Sequence, residues 1–286
     1  MTRISVSRLL TVGFVLLVSM PPLGAADLPR SASDIQYEKI LVPFFLGQPL
    51  PGNFGSLWAT EAWITNNAAQ PVDIQAYDYG CFLPEGCFPI PPTPPGISFR
   101  PHLFGFASAL RGLFFFADRR FASEVSVTLR IRDLSRANMT WGTEVPVVRE
   151  GEFRTGKLTL LDIPTGGGFR QVLRIYNLDG TRVAQVAVRV YDLNPAYTSP
   201  FGASPRPDPL LGQSLVSFQI TGTNPNPPFS GPGYIEISDL SAIAALSGTE
   251  RVRIEIESAT LGLQFWAFVT VVNNDTQHLT VISPSP

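Results

Sequence analysis

The chain is short of the residues that carry most covalent chemistry. Its 286 residues include two histidines, His102 and His278, and two cysteines, Cys81 and Cys87. A Ser-His-Asp arrangement needs a histidine to shuttle the proton. His102 follows Pro101 in a loop-like stretch and His278 sits in the last strand-turn-strand unit, so both read as surface residues. A G-x-S-x-G elbow is absent, and so are H-E-x-x-H and any histidine cluster. No catalytic group, metal or cofactor is therefore expected. The calcium pattern D-x-[DN]-x-[DN]-G is also missing, and Asn177-Leu178-Asp179-Gly180 and Asn273-Asn274-Asp275 read as plain turns. Gly166-Gly167-Gly168 precedes a strand pattern, whereas phosphate cradles precede a helix.

Charge is scarce as well. Charged residues make up 15% of the chain and the net charge is −2. Nucleic-acid binding needs a concentrated basic surface, which this composition does not supply. Beyond the N-terminus no run of roughly twenty apolar residues occurs, so no stable membrane span is expected in the mature chain.

The one strongly apolar run lies at the start. Arg3 and Arg8 precede an apolar stretch at residues 9–20, and Pro21-Pro22-Leu23-Gly24-Ala25-Ala26 follows. Basic region, hydrophobic core and small-residue site together spell a secretory signal, with cleavage expected after Ala26. The mature chain is then residues 27–286, secreted or periplasmic. In an exported chain Cys81 and Cys87 are expected to close a small disulfide loop. No cysteine stands at the cleavage site to take a lipid anchor.

What is abundant is turn-forming residue: 24 glycines and 27 prolines. Between them, period-two patterns recur at residues 39–45, 58–65, 72–79, 124–132, 169–176, 182–191, 215–221, 234–237, 251–257, 265–272 and 278–282. The helical signal is confined to residues 240–246, with Asp239 as N-cap and Gly248 as stop. The proline-dense stretches at 84–101 and 200–209 suit extended loops or edge coverings. A weak repeat links Trp63-Ile64-Thr65-Asn66 to Arg174-Ile175-Tyr176-Asn177, each followed by a strand ending in Tyr-Asp, at Tyr77-Asp78 and Tyr191-Asp192. Both units read as hairpins on Asn-rich turns, as does a third around Asn273-Asn274. The first two lie about 111 residues apart, one small domain each. The expected fold is all-β: two tandem antiparallel, immunoglobulin-like sandwiches at 27–147 and 148–286.

The alternation of apolar strand, Asn turn and Val-x-Val strand resembles the immunoglobulin-like and fibronectin-III-like modules of bacterial exported proteins. Four stretches resemble a family of uncharacterised secreted bacterial proteins: Pro51-Gly52-Asn53-Phe54-Gly55-Ser56-Leu57-Trp58, Trp141-Gly142-Thr143-Glu144-Val145-Pro146-Val147-Val148, Phe169-Arg170-Gln171-Val172-Leu173-Arg174-Ile175-Tyr176, and Phe265-Trp266-Ala267-Phe268-Val269-Thr270-Val271-Val272-Asn273-Asn274-Asp275-Thr276. The resemblance implies the fold and export, and carries no functional residue.

Two chemistries need neither histidine nor metal. Glycoside hydrolysis needs two carboxylates. Glu255 and Glu257 alternate with Val252, Ile254 and Ile256 and read as a solvated strand face, while Glu144, Glu150 and Glu152 lie near the expected domain junction. Sugar recognition needs exposed flat rings. Of Trp58, Trp63, Trp141 and Trp266, the sequence singles out Trp58 and Trp141, which sit beside small polar residues at strand ends, while Trp266 lies in an apolar strand. Phe114-Phe115-Phe116 reads as a buried strand. The leading reading is an exported non-catalytic protein that recognises a protein or glycan partner or builds the envelope. A carbohydrate-binding pair and a junction hydrolase are the alternatives.

Overall fold

The computed structural model describes residues 36–78, 88–100, 111–136, 138, 141–193, 207–220 and 229–284. Residues 1–26, expected to form an export signal, and Cys81, Cys87 and His102 lie outside the described residues. The described chain is built of antiparallel strands and short 3-10 turns. No described helix is long and apolar enough to cross a membrane.

The first sandwich runs through β1 (Tyr37–Val42), β2 (Leu50–Pro51), β3 (Leu57–Asn66), β4 (Val72–Asp78), β5 (Phe88–Thr93), β6 (Ser98–Phe99), β7 (Leu113–Asp118), β8 (Val125–Asp133), β9 (Thr143–Val145) and β10 (Val148–Arg149). One sheet has the order β10-β1-β7-β4-β5, the other β2-β3-β8-β9, with β6 also on β3. The second sandwich runs through β11 (Lys157–Pro164), β12 (Phe169–Asn177), β13 (Gln185–Asp192), β14 (Leu210–Ser217), β15 (Gly233–Ile237), β16 (Arg251–Ser258), β17 (Phe265–Asn273) and β18 (Leu279–Ile282). Its sheets are β11-β16-β13-β14 and β15-β12-β17-β18. Both sandwiches are immunoglobulin-like, as the period-two patterns predict.

The two units are copies of one topology. The strand set β1, β3 to β9 maps in order onto β11 to β18, with the same neighbours in each sheet. The register repeats too. Nine residues pair from Trp58↔Asp133 to Asn66↔Val125 in the first copy, and nine from Phe169↔Asn273 to Asn177↔Phe265 in the second. Asp78 lies opposite Leu113 as Asp192 lies opposite Val252. The repeat legible around Asn66 and Asn177 is thus one landmark of a whole-domain duplication.

Two of the three expected hairpins are something else. β3 and β4 lie in different sheets, and so do β12 and β13. Each Asn turn is an arch that carries the chain across the sandwich. Asn66 and Asn177 are buried, and their Oδ1 atoms accept from the backbone N–H groups of Ala68 and Asp179. Such an Asx turn bends the chain equally well whether the next strand pairs beside the first or crosses to the other layer. The third unit, β17-β18, is a true hairpin, closed by Asn273 N–H to His278 O and Gln277 N–H to Asn273 O. The helical signal at 240–246 gives a single 3-10 turn, Leu240–Ala242, with the Asp239 carboxylate capping Ser241 N–H as expected.

The sandwiches share buried surface. Along β17, Phe265, Ala267, Val269 and Val271 join the core of the second sandwich, while Trp266 and Phe268 join that of the first. Phe268 stacks on Phe44 and Tyr176, each with ring centroids 6.2 Å apart. The Tyr176 hydroxyl, wholly buried, donates to the Pro43 carbonyl, and burial pushes its pKa up, so it stays a neutral donor. Phe114, Phe115 and Phe116 are buried, as the sequence suggested. Phe153, between the sandwiches, lies 6.3 Å from Phe114, and Phe229 of the second sandwich stacks on Tyr77 at 4.8 Å.

Candidate functional site

The outer face of β3, β8 and β9 is the surface on which the exposed tryptophans meet. β3 alternates: Thr60, Ala62, Ile64 and Asn66 are buried, and Glu61, Trp63 and Thr65 face out. On β8, Val125, Leu129 and Ile131 point in, as expected, while Ser126, Thr128, Arg130 and Arg132 point out. Pairing places Trp63 beside Thr128, Thr65 beside Ser126 and Glu61 beside Arg130. Glu144 of β9 faces Arg130 from the other side.

Trp141 lies over this face. Its ring sits above both guanidinium groups, with centroid distances of 5.6 Å to Arg130 and 4.9 Å to Arg132. Arg132 is fixed in turn by Glu61 at 2.8 Å. Gly142 lets the chain descend: at φ +97 a Cβ there would lie 2.5 Å from both Arg132 Cγ and Ile131 O. One face of the indole is therefore seated on cations and the residue remains 68% exposed; Trp63 is 46% exposed. Trp63 and Trp141 are offset by two to four residues along β8, ~7–13 Å at the usual strand rise, comparable to the length of a disaccharide. Thr128 pairs beside Trp63, and on the side of Trp63 away from Trp141 stand Thr65, Ser98 and Ser126, with Thr65 Oγ1 and Ser98 Oγ 2.8 Å apart. Arg130 and Arg132 stand among Glu61 and Glu144, and Arg100, just beyond β6, reaches the Thr60 carbonyl of β3 at 3.3 Å, so the face carries charges of both signs.

The sequence-selected pair splits. Trp141 is on this face. Trp58 is half-buried on the inward side of β3, packed on the first core and overlaid by Gly52. Trp63, which the sequence reading left among the available rings, takes the exposed place. The signal was in the strand itself: if Ala62 and Ile64 point in, Trp63 points out. Trp266 is buried, as expected.

Of the junction carboxylates, Glu144 lies on this face, and Glu150 and Glu152 are engaged elsewhere. Glu150 accepts from Arg119 at 2.7 Å and Lys39 N–H at 3.3 Å, and Glu152 accepts from Arg149 N–H at 2.6 Å. Glu255 and Glu257 lie on the outward face of β16 as expected, opposite buried Val252, Ile254 and Ile256. Partial burial pushes the Glu255 carboxyl up, but Lys157 and Arg253 outweigh it and hold it below the ordinary range. A general acid needs the opposite shift. In the Asn177–Gly180 and Asn273–Asp275 turns, Asp179 Oδ1 accepts from Thr181 N–H and Oγ1, and Asn273 Oδ1 accepts from Asp275 and Thr276 N–H. Among the described residues no group of three His, Cys, Asp or Glu is placed to hold a metal.

Comparison with protein-family models, curated proteins and solved structures gives no match to this chain.

Proposed function

We propose that this is an exported, non-catalytic recognition protein whose binding face is the outer side of β3, β8 and β9, and whose ligand is a polysaccharide. The carrying observation is that Trp63 and Trp141 are both exposed on one sheet face, with the Trp141 ring held over Arg130 and Arg132. A ring held in place before binding loses little freedom on binding. Exposed indoles offer apolar faces to sugar C–H groups, and the surrounding threonines and serines offer hydroxyl partners. The face mixes charges of both signs with no single-sign cluster, which favours neutral over strongly charged glycans. Export rests on the N-terminal sequence.

Residues 27–286, purified, are tested for retention on insoluble neutral and acidic polysaccharides. Retention on a neutral polymer is expected. Trp141→Ala and Trp63→Ala should each weaken it about tenfold or more, some 1.4 kcal/mol, while Trp58→Phe should not. No retention on any polymer, or retention indifferent to both exposed tryptophans, rejects the glycan reading.

A further inference from the structure

Sheet edges expose unpaired backbone N–H and C=O groups, and proteins blunt them with short strands, prolines, charges or bulges. Among the described residues nearly every edge of this molecule is treated so. In the first sandwich β2, β6 and β10 have two residues each and β9 three, while β5 contains Pro89, Pro91 and Pro92. In the second, β18 has four residues and β15 has five with Glu236 among them. β11 opens with Lys157, ends in Pro164 and is bulged between Leu160 and Ile163.

β14 has none of these protections over most of its length. Its eight residues, Leu-Leu-Gly-Gln-Ser-Leu-Val-Ser, contain no charge and no proline. Among the described residues it pairs with β13 on one side only, with an irregularity confined to its start at Leu210. Leu210 is 50% and Leu215 57% exposed. Gly212 lies against the Ile243 carbonyl, where a Cβ would come within 2.2 Å, so the core side of the strand is closed, and among the described residues no strand pairs with its outer edge.

We infer that β14 is a self-association edge, pairing antiparallel with β14 of a second copy of this chain to join two four-stranded sheets into one. A foreign peptide added to an edge is selected by pockets or charges, and β14 itself carries no charge to select one. An uncharged strand is complementary to its own two-fold image, the isologous contact of most homodimers. The neighbouring charges do not oppose it. Arg189 is closed onto Glu257 at 2.6 Å and Arg253 onto Asp208 at 2.8 Å, both within one copy. Pairing would also cover Leu210 and Leu215.

Sedimentation velocity on residues 27–286, from about 1 to about 200 µM to span weak dimers, tests this. A reversible monomer–dimer equilibrium is expected. Leu215→Lys and Leu210→Lys, both at exposed positions, should each weaken it about tenfold or more. Leu261→Lys, at an 86% exposed site off the strand, should leave it unchanged. In the wild type, β14 amides should exchange more slowly at high protein concentration. A monomer at every concentration, or a dimer indifferent to both β14 lysines, overturns the proposal. Neither outcome depends on the polysaccharide reading.

Discussion

Asn66 and Asn177 occupy the same place in the two copies and are not equally satisfied. Asn66 Nδ2 donates to Gln70 O at 2.9 Å and Thr93 O at 2.7 Å, and its Oδ1 accepts Ala68 N–H at 2.8 Å. Asn177 keeps the acceptor bond to Asp179 N–H at 3.0 Å, but its buried Nδ2 has no partner. An unmet buried polar group costs free energy comparable to the bond it lacks. Asn66→Ala should therefore destabilise the protein by about 2–4 kcal/mol, because it strands two buried backbone groups. Asn177→Ala should cost about 1 kcal/mol or less, since it also removes an unsatisfied donor. Urea midpoints of the two variants check the asymmetry; equal losses would mean that Asn177 is bonded as fully as Asn66. The residue type was legible in the sequence as a turn signal. Its burial was not, because burial depends on which layer the following strand joins.

At the scale of elements, strand positions were largely legible because alternation is a local property of each segment. Partners were not, because pairing is chosen across the whole domain. The chain reads Asn-turn-strand equally for the β17-β18 hairpin and for the two arches. β14 was expected at 215–221 and lies at Leu210–Ser217; its alternation is interrupted by Gly212, whose place is set by Ile243 far along the chain. One element junction turns on a single carboxylate. Asp133 ends β8 and is buried; its Oδ1 accepts from Leu57 N–H at 2.9 Å and Ser135 Oγ at 2.6 Å, and its Oδ2 meets Arg136 at 2.6 Å. Burial pushes this carboxyl up, but bonds from Ser135, Leu57 and Arg136 outweigh it and leave the pKa lowered. A carboxyl with a lowered folded pKa contributes stability that is present above its unfolded value, about 3.9, and lost as pH falls through the folded one. Asp133→Asn should cost about 1–3 kcal/mol at pH 7. The gap from wild type should narrow progressively below about pH 4. Denaturation at pH 7 and pH 3 measures this, and a gap that stays constant would show that the charge of Asp133 contributes nothing.

For the whole molecule, the packing of one sandwich on the other explains why β17 is apolar on both faces through its first half. Its even-numbered residues serve a different core from its odd-numbered ones. A continuous run such as Phe265-Trp266-Ala267-Phe268-Val269 is what a strand buried on both faces requires. Two sandwiches joined only by a linker would unfold independently. Here Phe268, Tyr176 and Trp266 from one copy pack with Phe44 of the other, and Phe229 reaches Tyr37, Tyr77 and Phe116. Removing one sandwich would expose these aromatics to water, at roughly 1.5–3 kcal/mol for each large side chain. The chain should therefore unfold in a single cooperative transition despite its two cores. Phe268→Ala, which opens a cavity at the junction, should cost about 3–5 kcal/mol. Hydrogen exchange distinguishes coupled from local damage. Coupling requires that amides of β7 and β13, which lie in different sandwiches, lose protection together in the variant. If β13 alone loses protection while β7 keeps its wild-type rate, the sandwiches are independent folding units and the shared aromatic layer is only a contact between them.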